Sequence, residues 1–446
     1  MHLAKDVDLN YAITLLFGRE KTGMKKHDKV YDTYVQILRD ELVAAMGCTE
    51  PIAVAFCAAK AMDVLGEKPD KVDIRVSGNI IKNVKSVVVP NTDGMVGMET
   101  AAAAGIIFGK SEKDLEVISE ATEAQKAEMK AFLKEAEFSV APTYGTEVLE
   151  IIITLEKNGH TAKARVIKSH ANLVLLEKDG KVVFEKPEAI EEKKKADKSL
   201  LNIKEIYEFA KTADLEDFKK EVKYQVDCNL AIAKEGLTND WGASFGKSVL
   251  EFKGDSPRNK AIAAAAAGSD ARMSGCELPV VIVSGSGNQG ITASASVATY
   301  AIETGRSEEE MLRAVCFADL VAIHEKTGIG PLSAFCGAMC AGSGAGAGIA
   351  FLEGASEEDI EKVIITSLGQ ISGMICDGAK PSCGAKIAAA LDCSILSWEM
   401  LQKGRRLKGG DGILSDDVEK TIEYVGRLGH DGMAETDNVI QAIMTE

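Results

Sequence analysis

Aromatic residues are scarce in this chain of 446 residues, at 5% with two tryptophans. Set beside 41 glycines and many alanines, that scarcity points to helices packed closely through small side chains. Basic charge is also short, with 52 Lys and Arg against 68 Asp and Glu and a net charge of −16. That balance argues against nucleic acid or an anionic membrane as partner, because both are held mainly by Lys and Arg. The start of the chain lacks the basic, apolar, small-residue signature of an export leader. The ten cysteines include no CxxC knuckle of the zinc type, and their spread is unlike a small disulfide framework. These absences place the chain in the cytoplasm with reduced thiols. One charge-free run, Thr327 to Leu352, is long enough to cross a bilayer. Gly, Ala and Ser dominate it, with Pro331 and two cysteines, so it reads as a tightly packed buried segment. No internal repeat is present.

Hydrophobic content of 46% and charged content of 27% are ordinary for a globular protein of two or three domains. Residues 1–23 read as an N-terminal extension or the product of a misplaced start codon, ahead of a second plausible start at Met24. From Asp28 a helical spacing runs through Tyr31, Val35, Leu38, Leu42 and Ala45. It breaks at Gly47-Cys48-Thr49-Glu50-Pro51, and a second helix follows from Ile52 to Leu65, with Pro51 suited to its first turn. Val72 to Val76 alternates as a strand, and Ser77 to Asn83 reads as a polar turn carrying Asn79, Lys82 and Asn83. Val87 to Val89 suggests a short strand. Helices are expected over Val96–Phe108 and over Glu112–Ala136, the latter capped by Ser111. Strand-like runs follow at Glu147–Leu155, Ala162–Ser169, Asn172–Leu176 and Val182–Glu185. The charged stretch 187–198 is the candidate linker. The expected fold class is α+β. Residues 24–190 would form a mixed domain with an antiparallel sheet, and 199–446 a mostly helical domain whose main strand candidate is Val280–Val283.

Two constellations carry chemistry. The first is Gly373 to Gly384, a short loop punctuated by Asp377-Gly378 and Lys380-Pro381, with Cys376 and Cys383 near its ends. Cys383 falls at the start of a helix expected over 385–401, where a thiolate is favoured. Cys336 and Cys340 lie upstream in the small-residue run. The wide spacing of these thiols suits a [4Fe–4S] cluster better than a single zinc ion. Four ligands would close such a cluster, whereas three would leave one iron open as a Lewis acid. The alternative is that all four are core residues. The second constellation is Gly268–Gly275 with Arg272, followed by the loop Ser284–Gly290. A loop of that kind presents backbone N–H groups to a phosphate or carboxylate, and Arg272 can clamp a carboxylate. As a dinucleotide fingerprint it is weak, because no βαβ unit surrounds it. His170 at a strand end and His324 in a helix are candidate proton carriers or donors. Trp241 and Trp398 read as core.

Taken together, GCTEP at 47–51, SDARMSG at 269–275, SGSGNQG at 284–290, PLSAFC at 331–336 and GMICDGAKPSC at 373–383 resemble the L-cysteine desulfidase family, a relative of the iron–sulfur L-serine dehydratases. The resemblance runs from Met24 to the end. It implies an oxygen-sensitive [4Fe–4S] lyase that needs no pyridoxal phosphate and converts L-cysteine to sulfide, pyruvate and ammonia. It implies cluster ligation by Cys336, Cys376 and Cys383, and a catalytic base at Cys48. Cys340 has no counterpart in that pattern. Candidates to hold the amino acid are Thr49, Asn79, Lys82, Asn83, His170, Asn172, Arg272, Ser286 and Asn288. The expected partner is a small amino acid, with a homo-oligomer left open. The competing readings are the same chemistry on L-serine, and a non-catalytic iron–sulfur redox sensor.

Overall fold

The structure, a computed structural model, describes residues 24–46, 49–143, 147, 149–186, 196–330 and 333–445. The expected extension 1–23, most of the expected linker, and Gly47 and Cys48 lie outside the described residues.

The first helix, α1 (Lys29–Glu41), buries Tyr31, Tyr34, Val35, Ile37 and Leu38 along one face. It ends earlier than the spacing suggests. Ala45, expected in that helix, instead lies in β1 (Ala44–Met46), which pairs antiparallel with β8 (Pro279–Val281). Backbone pairing wins here because β8 needs a partner on that edge. Its other side is satisfied by the side chain of Asn229, which both donates to Val281 O and accepts from Val281 N.

Helix α2 (Thr49–Leu65) carries Pro51 in its first turn, as expected, and buries nearly every later residue. β2 (Lys71–Val76) leads into Ser77–Val84, where the polar turn expected from sequence is instead a short helix, α3 (Gly78–Val84). The physical reason is apolar spacing: Ile80, Ile81 and Val84 share one buried face. Val87–Val89 contributes only an isolated bridge, Val88 to Val96. Helix α4 (Met98–Phe108) crosses α2 so closely that a Cβ on Gly105 would lie 2.1 Å from Ala55 O. The long helix expected after Ser111 is split into a 3₁₀ turn (Ser111–Glu116) and α5 (Glu123–Glu135), because Thr122 and Gln125 form a capping box that starts a new helix.

β3 (Glu137–Pro142), β4 (Glu150–Lys157), β5 (His160–Ile167), β6 (Leu173–Lys178) and β7 (Lys181–Glu185) complete a six-stranded sheet. Its order is β3-β2-β4-β5-β6-β7. β3 was not anticipated, and it pairs parallel to β2, so the sheet is mixed although its other pairings are antiparallel. Ile151, Ile153 and Leu155 alternate inward along β4 and bury one face under α2.

Beyond residue 196 the chain is helical apart from β8. Helices α6 (Ile203–Thr212), α7 (Lys219–Thr238), α8 (Phe245–Lys253), α9 (Pro257–Met273) and α10 (Gly287–Glu303) are followed by α11 (Glu308–Ile329) and α12 (Ala338–Leu352). Helices α13 (Glu357–Ile371), α14 (Cys383–Leu401), α15 (Val418–Arg427) and α16 (Ala434–Thr445) complete the chain. The small-residue run is helix α12 at the centre. A Cβ on Gly342 or Gly346 would sit 2.7 or 2.6 Å from the Cβ of Ala390 or Ser394 on α14, and one on Gly344 would lie 2.5 Å from Ala318 O on α11. Glycine is therefore what lets three helix backbones touch and fixes where their ends fall. The buried side chains of α1 join this helical core through Tyr31 and Tyr34, whose rings meet Phe209 edge-on. Among the described residues no helix is long and apolar enough to cross a membrane.

Candidate functional site

Cys336 and Cys376 are brought together by backbone. Phe335 and Ile375 form an isolated antiparallel bridge; Cys336 N–H donates to Met374 O at 3.0 Å and Cys376 N–H to Ala334 O at 2.6 Å. The two thiols interact directly. Cys376 is pulled below the usual thiol range, first by the hydrogen bond from Cys336 and then, against burial, by the charge of Lys82, the Gly378 N–H and Lys386. Cys336 is correspondingly raised, by that same hydrogen bond and by burial.

Cys383 is the first residue of α14, and its thiol lies 3.7 Å from Gly378 O. Burial raises its pKa. The loop between the cysteines is braced by Asp377. Burial works to raise that carboxyl, but the hydrogen bonds of Lys380 and Lys386 win and hold it low. Gly378, at φ +94°, lets the loop press on α3: a Cβ there would lie 1.9 Å from Lys82 O. A close approach and a left-handed backbone at one position require glycine.

These three cysteines line one cavity of about 150 Å³. Four helices present their N-terminal residues to it: Thr49 and Glu50 from α2, Ser286, Asn288 and Gln289 around the start of α10, Cys336 and Ala338 at the start of α12, and Cys383 and Lys386 from α14. Lys82, Arg272, Lys326 and Lys386 stand in the same wall, so positive charge and helix N-terminal residues predominate in the lining. Glu50 supplies its one carboxylate among the described residues.

The expected substrate residues divide by placement. Thr49, Lys82, Asn83, Arg272, Ser286 and Asn288 line the cavity. Several are engaged within the protein. Lys82 Nζ donates to Asp437 at 2.6 Å, Asn83 Nδ2 and Thr49 Oγ1 both donate to Glu50 at 3.2 Å, and Arg272 Nη1 donates to Asn288 at 3.3 Å. Ser286 caps α10 by accepting from Gln289 N. Arg272 belongs to the last turn of α9 rather than to a loop, so its orientation is set by a rigid element. Asn79 is on α3 but does not line the cavity. His170 and Asn172 lie at the β5–β6 turn and do not line it either; Asn172 Nδ2 donates to Ile167 O and closes that turn. His324 pairs with Glu419 at 2.7 Å, away from the cavity. Cys48 lies outside the described residues, one residue before Thr49.

Cys340, one turn into α12, is fully buried and does not line the cavity; burial first, then the nearby Glu325, raises its pKa. Among the described residues no three His, Cys, Asp or Glu side chains converge on a single ion position. Cys336, Cys376 and Cys383 all line the cavity, the first two hydrogen-bonded to each other, and thiols are the donor type that iron–sulfur ligation uses. Sequence reasoning does not single out Glu50, Lys326 or Lys386, which also line the cavity. Ser284 and Gln289 line it as members of the expected loop 284–290, whereas Lys326 carries no signal beyond a cation in the last turn of a helix.

The sequence matches the family described as serine dehydratase alpha chain over residues 112–442. It is 49% identical over 422 residues to a UPF0597 protein of Desulfitobacterium hafniense, covering 94% of this chain and 98% of that one. A UPF0597 protein of Treponema denticola is 44% identical with the same coverage, and one of Lachnoclostridium phytofermentans is 45% identical, covering 93% of this chain and 100% of its own.

Proposed function

Because the chain belongs to the serine dehydratase alpha chain family, an iron–sulfur family of dehydratase and lyase type, we propose that it eliminates sulfide from L-cysteine, giving pyruvate and ammonia. The observation that carries this reading is the gathering of Cys336, Cys376 and Cys383 on one cavity with cations and helix ends suited to an amino acid carboxylate. In this proposal those three thiolates hold a [4Fe–4S] cluster, and Cys340 takes no part. A cluster so held supplies, when bound, an iron with one free coordination position that acts as a Lewis acid.

The chain's own residues supply the rest. Cys48, ahead of α2, takes the α-proton of the substrate as thiolate base. The electron pair of that C–H bond becomes the Cα=Cβ bond, and the Cβ–S bond breaks with its pair leaving on sulfur as hydrosulfide. The 2-aminoacrylate formed tautomerises to an imine, and water converts it to pyruvate and ammonia. The hydrogen bond from Cys336 first, and then the charges of Lys82 and Lys386, lower the pKa of Cys376 and favour the thiolate that ligation needs.

The GCTEP opening supports cysteine as substrate, whereas the family's name points to L-serine, on which the same residues would expel hydroxide. Anaerobic assay of both amino acids separates the two. Sulfide and pyruvate released in equal amounts from L-cysteine, with a higher kcat/KM than for L-serine, is the expected result. Faster turnover of serine would overturn the substrate, and turnover of neither would overturn the lyase. Cys48→Ser should keep its iron and lose about 100-fold or more in kcat; undiminished activity removes Cys48 as base.

A further inference from the structure

Three side chains in the cavity wall have hydrogen-bonding capacity that the protein does not use. Lys326 is 6% exposed and has no hydrogen-bond or ion-pair partner among the described residues, unlike Lys82 and Lys386, which are held by Asp437 and Asp377. Gln289 is 5% exposed and its Oε1 is buried without a partner. The buried hydroxyl of Ser284 also lacks one, on a residue held at φ +48°. Ser284 and Lys326 additionally share the wall of an adjoining cavity of about 280 Å³, so both stand at one side of the site. Two buried polar atoms without hydrogen-bond partners, and a mostly buried ammonium whose only opposing charges among the described residues are the thiols of Cys340, Cys376 and Cys336, are costly unless a ligand completes them.

The geometry points to Lys326, with Ser284, as the anchor for the carboxylate of the amino acid, and to Gln289 Oε1 as an acceptor for its ammonium. This rests on the amino acid lyase reading above and names the residues that recognise the backbone part of that substrate. It narrows the sequence expectation, which spread that task over Thr49, Asn79, Lys82, Asn83, His170, Asn172, Arg272 and the loop 284–290; within that loop Ser286 is engaged in capping α10 and Asn288 in accepting from Arg272.

The test uses anaerobic holoprotein and calorimetric titration with two thiols. One is 3-mercaptopropionate, which has the carboxylate and no ammonium, and the other is cysteamine, which has the ammonium and no carboxylate. Lys326→Met should weaken 3-mercaptopropionate by about 10- to 100-fold, the range for one charge-assisted hydrogen bond. Cysteamine affinity should stay within about twofold, and KM for L-cysteine should rise far more than kcat falls. Gln289→Leu should give the reverse pattern, and Ser284→Ala a smaller loss confined to the carboxylate ligand. Methionine preserves the stem and removes a buried charge, so the melting temperature should hold or rise; Lys326→Gln should repeat the binding pattern. Equal loss for both thiols, an unchanged 3-mercaptopropionate affinity, or loss of iron with affinity intact would each overturn the assignment. If the unaltered protein turns over an amino acid while Lys326→Met keeps its affinity, this assignment falls and the lyase stands. If the unaltered protein binds neither thiol and turns over neither amino acid, the lyase reading itself falls and takes this one with it.

Discussion

The Lys82 ammonium and the Asp437 carboxylate meet at 2.6 Å, joining helix α3 beside the sheet to helix α16 at the end of the chain. Lys82 is 2% exposed, and Gln441 Nε2 donates to the other Asp437 oxygen at 2.8 Å. Asp437→Ala leaves an ammonium buried without its counter-charge and should cost about 3–5 kcal/mol in chemical denaturation. The double variant Lys82→Met/Asp437→Leu should recover most of that stability without restoring turnover. Recovery of both would show that Lys82 serves the fold alone.

Gly378 ties the cysteine loop to the same helix. Gly378→Ala puts a Cβ where Lys82 O already lies and adds the left-handed backbone penalty, together at least about 2 kcal/mol. The loop must then lift, so iron content should fall along with stability. Retention of full iron content would show that the loop does not need this contact.

A buried acid that does not line the cavity sets a pH dependence. Asp319 on α11 is fully buried, accepts from Gln225 Nε2 at 3.0 Å, and is pushed up to about 8 by burial. With the folded pKa above the unfolded one, the folded state binds more protons in between. The destabilising effect is therefore absent below about pH 4 and complete above about pH 8. Asp319→Asn should raise the melting temperature at pH 8 by a few degrees, with the gain vanishing as pH falls toward 4. A gain independent of pH would contradict the ionisation argument.

The legible part of the site was local. GMICDGAKPSC announces a thiol loop by turn residues alone, and the glycines of α12 announce close helix packing. What sequence did not reveal depends on contacts distant along the chain. β3 pairs parallel to β2 across three intervening helices, so no hairpin spacing marks it. Ser77–Asn83 has the composition of a turn, and only the burial of Ile80, Ile81 and Val84 makes it a helix. Asn172 has the chemistry of a ligand group yet is used by its own turn. Lys326 reads as a solvated helix-end cation, yet in the fold it is only 6% exposed.

The central claim is tested most directly by counting iron and acid-labile sulfide in anaerobically purified protein and its single cysteine variants. Four irons per chain in the unaltered protein are expected, as [4Fe–4S] ligation requires. Cys336→Ala, Cys376→Ala and Cys383→Ala should each lose most of that iron, and Cys340→Ala should keep it. Iron retained without Cys383, or lost when only Cys340 is removed, would contradict a cluster held by those three thiolates.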